Sequence, residues 1–158
     1  MIEIVRERSI PAGAREVWDV VSDARRLPVW YARADRVEVL SGEGLGRRQR
    51  VISQCHGHPS EIDQVVTVFE PERELAWRHE AERLDGQPAP RFSAETVVSI
   101  RLDPEGQGVT RVSLASRQMP VDEEKEAMMR GNSDYLGQLL ETSLEHLAAV
   151  VGDGSTLG

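Results

Sequence analysis

His79 is the side chain of this sequence best suited to proton transfer. It ends an alternating segment in which Leu75, Trp77 and His79 fall on one face. An imidazole ordinarily has a pKa of about 6.5, so it can act as an acid or a base at neutral pH. Tyr135 and Asn132 could polarise a carbonyl group, and the three residues are our predicted catalytic group. A histidine at a strand end can equally lie at the rim or surface without a catalytic role, and that alternative stays open.

The run from Cys55 to His58 contains metal-ligating residue types but lacks a full ligand set. A structural zinc site takes four ligands, commonly from two clusters, and only His79 and His146 remain elsewhere. The glycine-rich stretch 42–46 precedes a strand, not a helix, so it is no dinucleotide-binding motif. It is interpreted as a flap over a cavity or as an ordinary hairpin turn. The sequence therefore predicts no metal and no cofactor.

Size and charge limit the classes of partner. The chain has 158 residues, a net charge of −8 and one cysteine. An acidic protein is poorly suited to a nucleic-acid backbone or an anionic membrane surface. Arg47, Arg48 and Arg50 are interpreted as a solvated strand face. We expect one cytoplasmic domain over residues 1–151 and a flexible tail over residues 152–158, without membrane insertion. The sequence does not indicate an oligomeric state.

The predicted elements are mostly strands, closed by one helix. Residues 14–21 have the apolar spacing of an amphipathic helix, and a second short helix follows at 24–27. Short turns between alternating segments predict an antiparallel meander. The predicted strands cover 2–10, 36–40, 48–54, 62–69, 75–80, 95–102 and 109–118. One long helix is predicted from Asp122 to Gly152, with Gly131 as the position of a bend.

Several short motifs give this order of elements a family resemblance. They are VWDVVSD at 17–23, LPVWY at 27–31, VEVL at 37–40, FEP at 69–71, LAW at 75–77 and GVTRV at 108–112. With them the chain resembles the polyketide cyclase/dehydrase and lipid transport branch of the START-like (SRPBCC) superfamily. The resemblance implies an α+β helix-grip fold: a curved antiparallel sheet around a long C-terminal helix, with two short helices after the first strand. It also implies a cavity between sheet and helix for an apolar or aromatic small molecule.

Alternate strand residues would face such a cavity. On the strand after the glycines we expect Val51, Ser53 and Cys55 to face inward, because this choice leaves the arginines outside. Trp77 can instead be core packing, whereas Trp30 and Tyr31 are placed at the cavity mouth. The predicted ligand-binding residues are Trp30, Tyr31, Ser53, Trp77, Thr96, Val98, Val112, Ser116, Met128 and Leu136.

The function predicted from this resemblance is binding of a hydrophobic or aromatic small molecule, with polyketide cyclase/dehydratase (aromatase) activity as the mechanistic hypothesis. Cavity shape would fold a flexible chain, His79 would transfer a proton, and Tyr135 and Asn132 would polarise a carbonyl. Two alternatives stay open. One is a non-catalytic carrier or sensor of lipids or small molecules. The other is a protein-interaction module like the START-like co-chaperones.

Overall fold

A computed structural model describes the backbone of residues 1–157 and the side chains of residues 1–152. Its elements follow the predicted order. They are β1 (Ile2–Ile10), α1 (Ala14–Val21), a 3-10 helix (Ala24–Arg26), α2 (Leu27–Trp30), β2 (Arg36–Ser41), β3 (Arg48–Cys55), β4 (His58–Glu70), β5 (Glu74–Leu84), β6 (Gln87–Pro88), β7 (Ser93–Gly106), β8 (Val109–Pro120), α3 (Glu123–Gly131) and α4 (Ser133–Leu157). The two-residue β6 lies in a segment that the sequence predicts to be a loop.

The strands form one antiparallel sheet in the order β1-β8-β7-β5-β4-β3-β2, with β6 paired to β5. Most neighbours in the sheet are also neighbours in the chain, which is what short hairpin connections produce. The exceptions are β5 and β7, which pair across the short β6, and β1, which pairs with β8 and so completes the sheet beside the C-terminal helix. This arrangement confirms the predicted α+β helix-grip fold.

The core lies between the inner face of this curved sheet and α4. Helix α4 packs against β1, β8, α1 and α2. It contributes one apolar stripe with a spacing of three or four residues, as expected for a helix buried on one side. The stripe consists of Leu140, Leu144, Leu147 and Val151, and its members join sheet residues such as Val98, Ile100 and Val112 in one cluster.

The C-terminal segment contains the predicted long helix but is interrupted once, after Gly131, where the sequence predicts a bend, so it forms two helices. Helix α3 begins after Asp122, whose side chain accepts a hydrogen bond from the Lys125 amide at 2.7 Å. It ends at Gly131, where glycine costs about 1 kcal/mol relative to alanine. Helix α4 continues past Gly152, the predicted stop, to Leu157. The side chains beyond residue 152 and all of residue 158 lie outside the described part of the chain, and the flexible tail stays a prediction.

Candidate functional site

The sheet opens between β5 and β7 beside His79. These two strands pair only from Glu74 to Arg78 and from Val97 to Arg101. Beyond that ladder, β5 continues to Leu84 against β4 and β6. His79 and Thr96 are therefore the first residues on either side of the gap. A cavity of 280 Å³ opens there and is lined by His79, Thr96, Glu82, Arg91 and Ser93, among others.

A β-bulge places Glu82 next to His79. In the β4–β5 ladder Gln64 is opposite His79, but Asp63 is opposite Ala81, so Glu80 is an extra residue in β5. In a regular strand, residues three apart point to opposite faces of the sheet. One inserted residue reverses that alternation and brings the two side chains to the same face. His79 Nδ1 lies 2.8 Å from Glu82 Oε1 as a result.

The surroundings of the pair determine which imidazole nitrogen is available. The His79 side chain is 9% exposed. The hydrogen bond from His79 lowers the pKa of the Glu82 carboxyl, against the opposing effect of burial. An ionised Glu82 accepts the proton on Nδ1, which leaves Nε2 of a neutral imidazole with a free lone pair. Nε2 is buried and has no hydrogen-bond partner among the described residues. Since a buried polar atom is costly without a partner, Nε2 is the atom most available to a ligand.

An aromatic cluster extends inward from this pair. The Tyr31 ring lies 5.6 Å from Trp30 and 5.5 Å from Trp77, measured between centroids. All three residues are buried in the core, so Trp30 and Tyr31 do not lie at an exposed mouth as predicted. Burial raises the pKa of the Tyr31 hydroxyl. The indole Nε1–H groups of Trp30 and Trp77 are buried and lack an acceptor in the described part of the chain. The cluster combines core packing with donors that a ligand could use.

The remaining predicted ligand contacts divide into two groups. Thr96, Val98, Val112 and Ser116 are buried on the inner face of the sheet, as predicted. Ser53 and Leu136 are partly buried, and Leu136 packs against the core. For each of these residues, contact with a ligand stays a prediction.

Three helical residues do not reach the site. Tyr135 is 68% exposed and Met128 is 45% exposed. Asn132 is exposed, and its side-chain amide donates to the Met128 carbonyl oxygen at 3.1 Å. The structure thus does not bring Tyr135 and Asn132 together with His79. The physical reason for Tyr135 is its position on α4, because it lies five residues before Leu140 and therefore about 140° around the helix from the buried stripe.

Sequence reasoning missed a buried polar row on β3 and β4. Arg47 Nε donates to Gln49 Oε1 at 3.0 Å, and Gln49 Nε2 donates to Gln64 Oε1 at 2.9 Å. Arg47 Nη1 also donates to the Ser22 carbonyl oxygen at 3.0 Å. Burial lowers the pKa of the Arg47 guanidinium, and the negative charge of Asp23 opposes that effect. The inward residues at this end of β3 are therefore Arg47, Gln49 and Val51.

This row corrects two predictions about β3. The arginines do not form one solvated face, because Arg47 is only 8% exposed. Arg48 and Arg50 do point outward, where they form ion pairs with Glu80 and Asp63 respectively. Cys55 is exposed and not inward-facing.

Two negative findings apply to the described residues. They contain no group of three or more His, Cys, Asp and Glu side chains that could hold a metal ion. His58 instead lies 2.9 Å from Asp85, measured from Nδ1 to Oδ2. Within the same part of the chain, no helix combines the length and apolar character needed to cross a membrane.

Comparison with known proteins gives one family and several structural neighbours. The family model for polyketide cyclase/dehydrase and lipid transport matches residues 1–152. Among curated proteins nothing matches.

Three solved structures illustrate the similarity of fold. The protein TTHA0849 from Thermus thermophilus is 19% identical, with 98% of this chain and 99% of that chain covered and a TM-score of 0.76. The ZhuI aromatase/cyclase from Streptomyces sp. R1128 is 14% identical, with coverages of 96% and 93% and a TM-score of 0.74. The di-domain aromatase/cyclase BexL of the BE-7585A biosynthetic pathway is 17% identical, with coverages of 94% and 46% and a TM-score of 0.74. At these identities the neighbours show the fold alone, whereas the family match spans nearly the whole sequence. The chain belongs to the polyketide cyclase/dehydrase and lipid transport family.

Proposed function

We propose that this protein binds a hydrophobic or aromatic small molecule beside His79 and that His79 Nε2 takes a proton from it. The observation that carries this proposal is the His79–Glu82 pair. His79 Nδ1 lies 2.8 Å from the Glu82 carboxylate, while His79 Nε2 is buried and has no partner among the described residues. The His79 side chain lines the 280 Å³ cavity. A histidine held in this way can act as a general base through Nε2.

The surroundings of the base favour an apolar ligand. Trp77 precedes His79 by two residues and shares its face of β5, and Val98 lies opposite Trp77 on β7. Thr96 adds a hydroxyl group on the far side of the gap. The lining of the cavity itself carries the charged side chains Glu80, Glu82, Arg91 and Glu95, so the apolar contacts would come from Trp77 and Val98 behind His79. The family match and the aromatase/cyclase neighbours agree with this class of ligand.

The reaction we propose is cyclisation followed by dehydration of a polyketide-like chain. Nε2 removes a proton from a carbon next to a carbonyl group, and the C–H electron pair becomes an enolate. The enolate carbon attacks a second carbonyl of the same molecule, and the resulting alkoxide takes the proton back from the imidazolium. A second proton abstraction beside the new hydroxyl group expels hydroxide, which leaves as water with the imidazolium proton. General-base catalysis contributes about 10²–10⁴-fold to such steps.

The experiment follows turnover of an aryl triketone to its aromatic product by absorbance. His79→Gln removes the base but keeps a side chain of similar size, and we expect turnover to fall by about 100-fold or more. Glu74→Gln is the matched control, because Glu74 lies on the same strand and is not among the residues that line the cavity. Full turnover by the His79→Gln variant would overturn the catalytic proposal. An unchanged ligand that co-purifies with the protein, seen by native mass spectrometry without turnover, would instead identify a carrier.

A further inference from the structure

We infer that Gln64 is the group that binds the carbonyl or enolate oxygen of the ligand beside His79. This inference rests on the proposed function and names the chemistry of the ligand more closely. The ligand would carry an oxygen able to accept hydrogen bonds and to hold negative charge, as β-dicarbonyl compounds and phenols do.

The buried polar row determines how the Gln64 amide is oriented. A guanidinium group only donates hydrogen bonds, so Gln49 must present its oxygen to Arg47. Gln49 then has its NH₂ group for Gln64, which must present its own oxygen in return. This order leaves the Gln64 NH₂ group as the free end of the row. In the described part of the chain, no residue accepts a hydrogen bond from it.

The sheet register places Gln64 next to the proposed base. Gln64 on β4 is directly opposite His79 on β5, and directly opposed side chains share a face with Cβ atoms about 4.5–5.5 Å apart. Gln64 is 1% exposed. Trp77, two residues before His79, adds a second buried N–H without an acceptor among the described residues. One proton acceptor and two N–H donors are thus located on the same part of the inner face.

The opposite end of the row carries a positive charge. Arg47 is almost fully buried, and it forms no ion pair with a carboxylate of the described residues. Hydrogen bonds in a chain polarise one another by about 10–30% per bond, so the cation strengthens the donor at the far end. Pre-oriented donors of this kind stabilise an oxyanion as it develops. We therefore assign Gln64 to the enolate oxygen and His79 to the proton.

The test compares two probes of similar shape. The hydroxyl group of 2-naphthol can donate to His79 Nε2 and accept from Gln64, whereas 2-methylnaphthalene can do neither. We expect the wild-type protein to bind 2-naphthol about tenfold more tightly, a difference of about 1.4 kcal/mol. In nitrogen-15 NMR spectra, 2-naphthol should shift the Gln64 side-chain amide signals, which are assigned by their absence in Gln64→Met.

Two variants separate binding from folding. Gln64→Met removes the amide, and Gln64→Glu keeps the oxygen that Gln49 needs but replaces the donor. Each should lose most of the preference for 2-naphthol, while the exposed Gln54→Met on β3 should keep it. An unchanged preference in folded Gln64→Glu, with an unshifted Gln64 signal in the wild type, would overturn the inference alone. Binding of neither probe, or binding that His79→Gln does not alter, would refute the proposed function as well.

Discussion

A double-mutant cycle on Gln49 and Gln64 tests the buried polar row directly. Gln49→Leu leaves both Arg47 Nε and Gln64 Oε1 without a partner, because Gln49 bonds to each. An unsatisfied buried polar group costs about 1–3 kcal/mol, so this variant should lose about 2–6 kcal/mol of unfolding free energy. Gln64→Met leaves only Gln49 Nε2 unpaired and should lose about 1–3 kcal/mol.

The double variant distinguishes a connected row from independent contacts. With both glutamines replaced, only Arg47 Nε lacks a partner, so the loss should be about 1–3 kcal/mol and smaller than that of Gln49→Leu alone. Urea unfolding of the four proteins measures these free energies, and Gln54→Leu at an exposed position of β3 controls for the change of residue type. Additive losses in the double variant would refute the row, and the orientation of the Gln64 amide would then have no structural basis.

Two further predictions concern Glu82 and Gly137. The hydrogen bond from His79 lowers the pKa of the Glu82 carboxyl in the folded protein. The ionised carboxylate therefore contributes its full stabilisation of the fold above the unfolded-state pKa of about 4.3, and this contribution is lost as the pH falls through the lower folded-state pKa. The difference in unfolding free energy between wild type and Glu82→Gln should therefore shrink below about pH 4.3 in urea titrations, and a constant difference would contradict the assignment. A Cβ at Gly137 would clash with Arg6 Nη2, so Gly137→Ala must displace Arg6 from its 2.9 Å ion pair with Glu141. In an Arg6→Ala background, Gly137→Ala should raise the unfolding free energy by about 1 kcal/mol, and a decrease there would show a further steric conflict.

Much of the fold could be predicted from the sequence because strand alternation is a local signal. The alternation of Leu75, Trp77 and His79 predicted their shared face, and the same pattern predicted an inward face for Thr96 and Val98 on a later strand. The long-range pairing of β1 with β8 has no local signal and was not predicted.

The candidate site was harder to predict, because a strand irregularity and the rotation of α4 against the sheet decide which residues meet. The bulge at Glu80 moves Glu82 to the face of His79, and regular alternation assigns Glu82 to the other face. Tyr135 lies about 140° around α4 from Leu140 and is exposed, although the sequence interpretation placed it beside the apolar stripe. Both features depend on tertiary packing and not on local residue pattern alone.

The polar row had a signal that sequence reasoning passed over. Gln64 lies two residues from both Ile62 and Val66, and Gln49 lies two residues from Val51. Because residues two apart in a strand share a face, both glutamines fall on an apolar face. A polar residue at such a position must find a buried partner. Arg47 supplies that partner, because its guanidinium donates to Gln49 Oε1 and to the Ser22 carbonyl oxygen.

Proton abstraction by His79 is the central claim, and deuterium exchange tests it without knowledge of the natural substrate. The probe is 2-acetylnaphthalene in D₂O, whose methyl protons exchange only after removal by a base and are followed by proton NMR. We predict that the wild-type protein accelerates this exchange, that Glu74→Gln accelerates it equally, and that His79→Gln slows it by about 100-fold or more relative to wild type. Exchange at the wild-type rate in the His79→Gln variant would contradict the account.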